Sequence, residues 1–330
     1  MLKIFLRIII FIMPLFSLLA TGTPAYVPFS YSDMNPLTLH YGSPRVTSAG
    51  DLSHGRWQWH WSTDVSNTVH IQGLTSDTES LILDAETQRH AMTFEYGMSE
   101  KWNLLIELPY IRHGSGFLDG FITDFHSSLG FPSGPRSERD RDDFLIAYDR
   151  KGLKPLVIET GQSGVGDVSV SMMRKLASEW EDSLSIGFKL KFPSGKVSDL
   201  TGSGTYDIAI WASGSKRLSH AFSHYLSLAA IGIEKNGGLL PEVRKSAYAS
   251  ATYGIGWRYS EMIEFKLQFD ARTSVYSESA MRALGQSMAL SMGGTLHFAN
   301  GYDLDIAVVE DIDVGTSPDV VFHLNLRTRF

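Results

Sequence analysis

From Ile263 to Arg272 the chain alternates without a slip. Ile263, Phe265, Leu267, Phe269 and Ala271 are apolar, and Glu264, Lys266, Gln268, Asp270 and Arg272 are polar or charged. Successive side chains of a strand point to opposite faces, whereas a helix would spread these charges around its whole circumference. The segment therefore suits one structure, a strand with one apolar and one wet face. The same pattern recurs along the chain. Leu184, Ile186, Phe188, Leu190 and Phe192 alternate with Ser185, Gly187, Lys189 and Lys191. Leu104, Ile106, Leu108 and Tyr110 alternate with Asn103 and Glu107, and Trp57, Trp59 and Trp61 with Arg56, Gln58 and His60. Tyr302, Leu304, Ile306 and Val308 stand against Asp303 and Asp305. At the end of the chain, Val320, Phe322, Leu324, Leu326, Thr328 and Phe330 share one face, with His323, Asn325, Arg327 and Arg329 on the other. Segments from Tyr206, Ala247 and Met288 carry the pattern more weakly, because small residues hold several of their places.

Alternating segments of about ten residues, separated by turns, are the signature of a transmembrane β-barrel. Beyond residue 25 no continuous apolar stretch approaches the length of a spanning helix, and the mean hydropathy is -0.07. The lack of such a stretch excludes a helical membrane protein, and the low mean hydropathy still suits a barrel, in which only alternate residues meet lipid. Connections between segments alternate in length. The short ones fall at 98–101, 177–180, 218–221, 260–261 and 299–301; the long ones fall at 73–78, 113–163, 194–204, 235–245, 277–284 and 311–318. Outer-membrane barrels place short turns on the periplasmic side and long loops outside, and the count here predicts an up-and-down antiparallel barrel of about 12 strands. An even number puts both ends in the periplasm. Tyr96, Trp102, Trp180, Phe222, Trp257, Tyr259, Phe298, Tyr302 and Phe330 lie within a few residues of a short turn or the terminus, which is where a periplasmic aromatic girdle belongs.

The N-terminus reads as a secretory signal. Lys3 and Arg7 precede an apolar run from Ile8 to Ala20, and Thr23 and Ala25 offer small residues for cleavage. The expected division is a signal over 1–25, a periplasmic N-terminal segment over 26–53 and a barrel over 54–330. No cysteine occurs, which removes disulfides, thiolate metal sites and cysteine nucleophiles. The net charge of -7, with no basic run, excludes the electrostatic footprint of a nucleic-acid binder.

Several stretches carry a resemblance: Tyr96-Gly-Met-Ser-Glu-Lys-Trp102 with Leu108-Pro-Tyr110, the loop from Gly116 to His126, Ser163-Gly-Val-Gly-Asp167, Lys191-Phe-Pro-Ser-Gly195 and the terminal strand. Together they look like an uncharacterised family of proteobacterial outer-membrane barrels, over most of the mature chain. The resemblance implies fold and location; it carries over no activity and no binding residues. A terminal Phe330 closing an alternating strand also resembles the signal read by the barrel-assembly machinery, an expected partner together with outer-membrane lipids and lipopolysaccharide.

Chemistry is harder to read. The connection over 113–163 is too long to be structureless, and Phe117, Leu118, Phe121, Ile122, Phe125 and Leu129 recur at helical spacing before Gly130 and Pro132. One short amphipathic helix is expected in this extracellular loop, folded into the lumen or packed on the rim. The mixed run Arg136 to Asp143 suits either lipopolysaccharide phosphates or plain solvation. The stretch from Asp311 to Gly315 lacks the later Gly and closing Glu of a calcium loop. His60, His297 and His323 fall on the lumen face, yet no nucleophile elbow accompanies them, so an outer-membrane lipid hydrolase is the weakest reading. No enzyme signal and no cofactor motif stands out. The expected lumen lining is Glu107, Lys189, Lys191, Glu264, Lys266, Asp270, Arg272, Asp303, Asp305, Arg327 and Arg329, with both signs of charge. This lining and the long loop point to a narrow passive channel or an uptake barrel for an unidentified small solute. The alternative is a non-conducting structural or lipopolysaccharide-interacting barrel.

Overall fold

The computed structural model describes residues 26–45, 52–73, 78–118, 120, 143–179, 182–277, 279–313 and 315–329. Its strands are β1 (Trp57–Gln72), β2 (Glu79–Ser99), β3 (Trp102–Gly114), β4 (Leu145–Arg150), β5 (Leu156–Ile158), β6 (Gln162–Val165), β7 (Ser169–Glu179), β8 (Asp182–Lys191), β9 (Asp207–Arg217), β10 (Phe222–Ile233), β11 (Ala247–Arg258), β12 (Ile263–Arg272), β13 (Ser287–His297), β14 (Tyr302–Asp311) and β15 (Val320–Arg329). Twelve of them form the wall: β1 to β3 and β7 to β15, each antiparallel to its neighbour in sequence. β15 returns to β1, from Gln58↔Arg329 to Asn67↔Val320, so the twelve-stranded wall closes on itself. The turns between β2 and β3, β7 and β8, β9 and β10, β11 and β12, and β13 and β14 are short and lie at the end where the chain terminates. The connections at the other end are long.

The period-two reading follows the wall closely. On β12 Leu267 and Phe269 are 38% and 40% exposed on the outer face, while Gln268 between them is fully buried. Leu184, Ile186 and Phe188 of β8, Ile106, Leu108 and Tyr110 of β3, and Leu324 of β15 are exposed likewise, with Ser185, Glu107 and Asn325 buried behind them. Trp57 packs on Tyr96 at 4.5 Å, Phe222 stacks on Trp257 at 6.2 Å and Tyr259 meets Trp257 at 5.7 Å. These rings form an aromatic band near the short turns. Trp180 and Phe330 lie outside the described residues.

In the long connection, the helix expected over 117–129 falls almost wholly outside the described residues, as does the charge run up to 142. What is described there is a hairpin. β4 pairs with the upper part of β2 from Glu79↔Arg150 to Asp84↔Leu145, and β5 pairs with β4. β2 is 21 residues long and rises above β3, whose pairing stops at Glu86↔Gly114, so the backbone groups left on that side need partners, which β4 supplies. β6 and β7 are one interrupted strand, since both pair with β3. The break comes at Gly166, where an added Cβ would meet Pro109 and Ile111 at 3.0 Å.

The N-terminal segment departs from expectation. The sequence put 26–53 in the periplasm; instead 26–45 runs inside the barrel. Tyr26, Phe29, Met34, Leu37, Leu39 and Tyr41 are all buried. The physical reason is volume: a wall of about 12 strands encloses more space than its own side chains fill. Burying each large apolar side chain of the segment there stabilises it by roughly 1.5–3 kcal/mol. The segment starts at Tyr26 beside Gly254 and Gly256 near the short turns, climbs to the long loops, and turns back. The reversal is an Asx-type turn: Asp33 accepts from Asn35 N at 3.1 Å, Asn35 Oδ1 accepts from Leu37 N at 2.9 Å, and Leu39 N donates to Asn35 O at 2.9 Å. At the top, Leu37 and Tyr41 enter an apolar cluster built from Leu81, Ile146, Tyr148, Leu239, Val275, Tyr276 and Leu284, among others, on β2, the β4 hairpin and the long loops.

Candidate functional site

The lumen is where wall, inserted segment and remaining space meet. Three residues of β12 on one face hold the rising limb. Lys266 Nζ donates to Val27 O at 2.5 Å, Gln268 accepts from Phe29 N at 2.8 Å and donates to Phe29 O at 3.1 Å, and Arg272 pairs with Asp33. Their spacing of two and four residues is what a strand needs to present three side chains to one straight partner. The descending limb is held by β9, β11 and β8. Asp207 accepts from Gly42 N at 2.9 Å, Tyr248 shares a hydrogen bond with Ser43 Oγ at 2.8 Å, and Lys189 donates to Ser43 O at 3.1 Å. His40 donates from Nε2 to Pro36 O at 2.9 Å, and burial pushes its pKa down to about 3, with the neighbouring His113 adding to the effect. Burial likewise drives the hydroxyl pKa of Tyr41 up to about 12.

Among the described residues two cavities stand out in the lumen. The larger, of about 110 Å³, lies in the upper half between the inserted segment and β2, β3, β8, β11 and β12. The smaller, of about 30 Å³, lies in the lower half beside His60, Thr93, Leu105, Ser169, Ser171 and Trp211. Arg45, Glu107 and Lys189 line both, so the junction between the cavities is ionic. Arg45, at the end of the inserted segment, pairs with Glu107 at 2.5 Å and donates to Ser62 at 2.8 Å, and Arg89 pairs with the other oxygen of Glu107 at 2.6 Å. Trp211 reaches the lower cavity because β8 carries Gly187 opposite it. A Cβ at Gly187 would stand 2.1 Å from the indole ring.

The residues expected to line the lumen separate into groups. Glu107 and Lys189 meet at the junction. Lys191 is buried above it, paired with Asp167 at 2.6 Å and Asp207 at 3.3 Å. Lys266, Asp305, Arg327 and Asp303 form a network in the lower half: Lys266 and Arg327 reach Asp305 at 3.1 and 3.4 Å, and Arg327 reaches Asp303 at 3.5 Å. Glu264 and Asp303 flank His297 at 3.4 and 2.8 Å. Asp270 accepts from Thr252 at 2.7 Å and Gln268 at 2.9 Å. The side chain of Arg329 lies outside the described residues. His323 pairs with Asp64 at 2.6 Å, and His60 lies 3.7 Å from Glu95, so all three expected lumen histidines face carboxylates. These charges are packed against the inserted segment and each other. In such surroundings a lone charge costs several kcal/mol and a pair is required. Among the described residues no cluster of three or more His, Asp or Glu has metal-holding geometry. Asp311 is occupied instead by Thr316 N and Ser317 N at 3.1 and 3.0 Å.

Asp167 was not expected. It sits in the break between β6 and β7, accepting from Gly195 N at 2.9 Å, Ser203 N at 2.9 Å and Lys191, while Ser194 Oγ bridges Gly166 O and Val168 N at 2.8 Å each. Ser163-Gly-Val-Gly-Asp167 and Lys191-Phe-Pro-Ser-Gly195, both motifs of the family resemblance, thus fold onto one another as a buckle at the upper rim. Their shared content of Gly, Ser and one charge of each sign was the available signal.

The architecture has solved counterparts. It is similar to the COG4313 outer membrane channel from Pseudomonas putida F1, with a TM-score of 0.58 and 14% identity over 88% of this chain and 100% of that one. It also aligns with the NanC porin at a TM-score of 0.47 and 6% identity, over 83% of this chain and 100% of that one. The CymD monoaromatic hydrocarbon channel aligns at a TM-score of 0.41 and 11% identity, over 90% and 91%. No curated protein matches the chain in sequence. The first likeness is one of fold, and with the closed wall and its apolar outer face it identifies an outer-membrane β-barrel in contact with membrane lipid. Residues 4–330 match the model described as protein of unknown function (DUF3187), and the chain belongs to that family.

Proposed function

We propose that the protein is a narrow passive channel for small solutes, held closed by residues 26–45. The observation that carries this reading is that residues 26–45, which join no wall strand, run through the lumen. The segment is not a wall strand, and space remains in both halves of the barrel. Its apex contributes Leu37 and Tyr41 to the middle of the apolar cap, so withdrawal would open the cap and the lumen together. The lumen face stays polar and carries both charge signs, as a wet path requires once the segment is gone. The COG4313 protein of the same fold is described as a channel, which supports the same reading. Cleavage after Ala25 would make Tyr26 the first residue of the mature chain, free to leave by the periplasmic end. Phe330 would direct assembly by the barrel-assembly machinery, and the charge run over 136–143 would meet lipopolysaccharide.

Liposome swelling tests the proposal. Vesicles carrying the mature protein should admit small sugars and amino acids slowly, and vesicles carrying a variant without residues 26–45 should admit them several-fold faster. The dense anchoring of the segment favours a second reading, a non-conducting structural barrel. A variant that folds, as judged by faster migration on gels when unboiled, yet leaves the vesicles tight would establish that second reading instead.

A further inference from the structure

The ionic junction between the two cavities is short of one negative charge. Elsewhere in the lumen each buried cation has its own carboxylate: Lys191 has Asp167 and Asp207, Lys266 has Asp305, Arg272 has Asp33, and Arg327 has Asp303 and Asp305. At the junction three cations, Arg45, Arg89 and Lys189, face Glu107. Both oxygens of Glu107 are already taken, one by Arg45 at 2.5 Å and the other by Arg89 at 2.6 Å. Asp64, 3.9 Å from Arg45 and also paired with His323 at 2.6 Å, supplies a second carboxylate, so among the described residues three cations face two negative charges. Lys189, 6% exposed, meets only the carbonyl of Ser43 at 3.1 Å and has no carboxylate within 4.0 Å among the described residues. Arg89 is 5% exposed, and its Nη1 is buried without a hydrogen-bond partner. An ammonium and a guanidinium nitrogen left in this state are costly unless something else supplies acceptors. Both residues line the larger cavity, where such a group would have room.

We propose that this junction binds a small monocarboxylate, with its oxygens accepting from Lys189 Nζ and Arg89 Nη1. The charge balance sets the valence: one missing negative charge is met by one carboxylate, whereas a phosphate dianion would overshoot. The planar guanidinium and the mobile ammonium suit a planar two-oxygen acceptor. The cavity of about 110 Å³ sets the size, space for a molecule such as acetate or propionate and not for an oligosaccharide. Since Lys189 also holds Ser43, the carboxylate would share its anchor with the inserted segment. A bound solute and the closing segment would then compete for one ammonium. The site deepens the channel reading by naming a solute class, and it can be tested without any flux.

Equilibrium dialysis of radiolabelled acetate and propionate against the mature protein, folded in detergent, gives the test, with chloride and inorganic phosphate as competitors. The expected result is saturable binding at one site per barrel, resisting a tenfold excess of chloride or phosphate. Lys189→Met should weaken it tenfold or more, and Lys189→Arg should restore it to within a few-fold. Arg89→Lys keeps a cation for Glu107 but removes the spare guanidinium nitrogen, so it should weaken binding too, and it serves if Lys189→Met does not fold. Absence of saturable binding, undiminished binding in both charge-altered variants, or displacement by phosphate at equal concentration would overturn the site. If Lys189 only anchored the segment, Lys189→Met would raise swelling rates and leave acetate binding unchanged. Swelling and binding are separate readouts, so the channel reading and the site can fail independently.

Discussion

Replacing Gln268 with Leu should loosen the inserted segment while leaving the barrel wall intact. Gln268 lies in the middle of β12, fully buried, and clasps the backbone of Phe29 from both sides: it accepts from the N–H at 2.8 Å and donates to the C=O at 3.1 Å. Leucine fills similar volume but can do neither. Two backbone groups would then be buried without partners in the closed state, each costing about 1–3 kcal/mol, whereas water would satisfy them in the released state. Taking a net shift of about 2 kcal/mol, the closed-to-open ratio falls roughly 30-fold, at 1.4 kcal/mol for each factor of ten. The wall keeps the backbone pairs of β12 with β11 and β13 and gives up only the hydrogen bond from Gln268 to Asp270 at 2.9 Å, which Thr252 also serves. The assay is limited proteolysis of the folded barrel in vesicles, following cleavage within 26–45, alongside migration of unboiled and boiled samples. Faster cleavage with unchanged heat-modifiability is expected. Unchanged protection of the segment, or loss of the folded band, would refute the assignment of Gln268 as a clasp.

Other consequences can be checked alongside. Leu267→Arg, one residue away on the outer face, should cost the wall roughly 2–4 kcal/mol near the bilayer midplane, read as denaturant unfolding in vesicles; a loss no larger than that of Gln268→Leu would mean that the faces of β12 are misassigned. His40 is held neutral by burial, its pKa down at about 3 against about 6.5 in a released segment. Its contribution to closure is therefore complete above pH 6.5 and declines as pH falls from 6.5 toward 3, because the released state takes up the proton first. Protection of 26–45 from acid-active proteases should weaken between pH 6.5 and 4.5, and His40→Gln should flatten that dependence. Gly187→Ala would drive a methyl into the ring of Trp211, costing about 1–3 kcal/mol, and should shift the tryptophan emission of the folded protein.

The wall was readable because period two is a local signal with a physical cause at every residue. The charges Glu264, Lys266, Asp305 and Arg327 can share strands with bared leucines only if the strands present two different environments. Alternation of short and long connections likewise gave a barrel of about 12 strands with its short turns gathered at one end, and the wall has 12. The inserted segment was not readable, for a matching reason. Tyr26, Phe29, Met34, Leu37, Leu39 and Tyr41 follow no period, and an aperiodic apolar stretch says that it must be buried without saying where. Gln268 and Lys266 were legible as lumen-facing but not as partners of a chain some 239 residues away. The β4 and β5 hairpin was hidden by the helical spacing earlier in the same loop, although Ile146, Tyr148 and Ile158 do alternate. The deficit of charge at Arg45, Arg89 and Lys189 depends on which pairs form, so only coordinates reveal it.

A reversible lock tests in a single molecule whether solute passes when residues 26–45 leave the lumen. The chain has no cysteine, so an introduced pair has no competitor. A Cβ at Gly42 would stand 2.9 Å from the Cβ of Asp207, short of the 3.5–4.5 Å of a disulfide by a shift the turn can absorb. Current through planar bilayers holding the Gly42→Cys, Asp207→Cys protein should be absent when it is oxidised and appear, at one unitary size, when a reductant is added. Equal current in the two states would contradict the claim, as would no current in either from a barrel that remains folded.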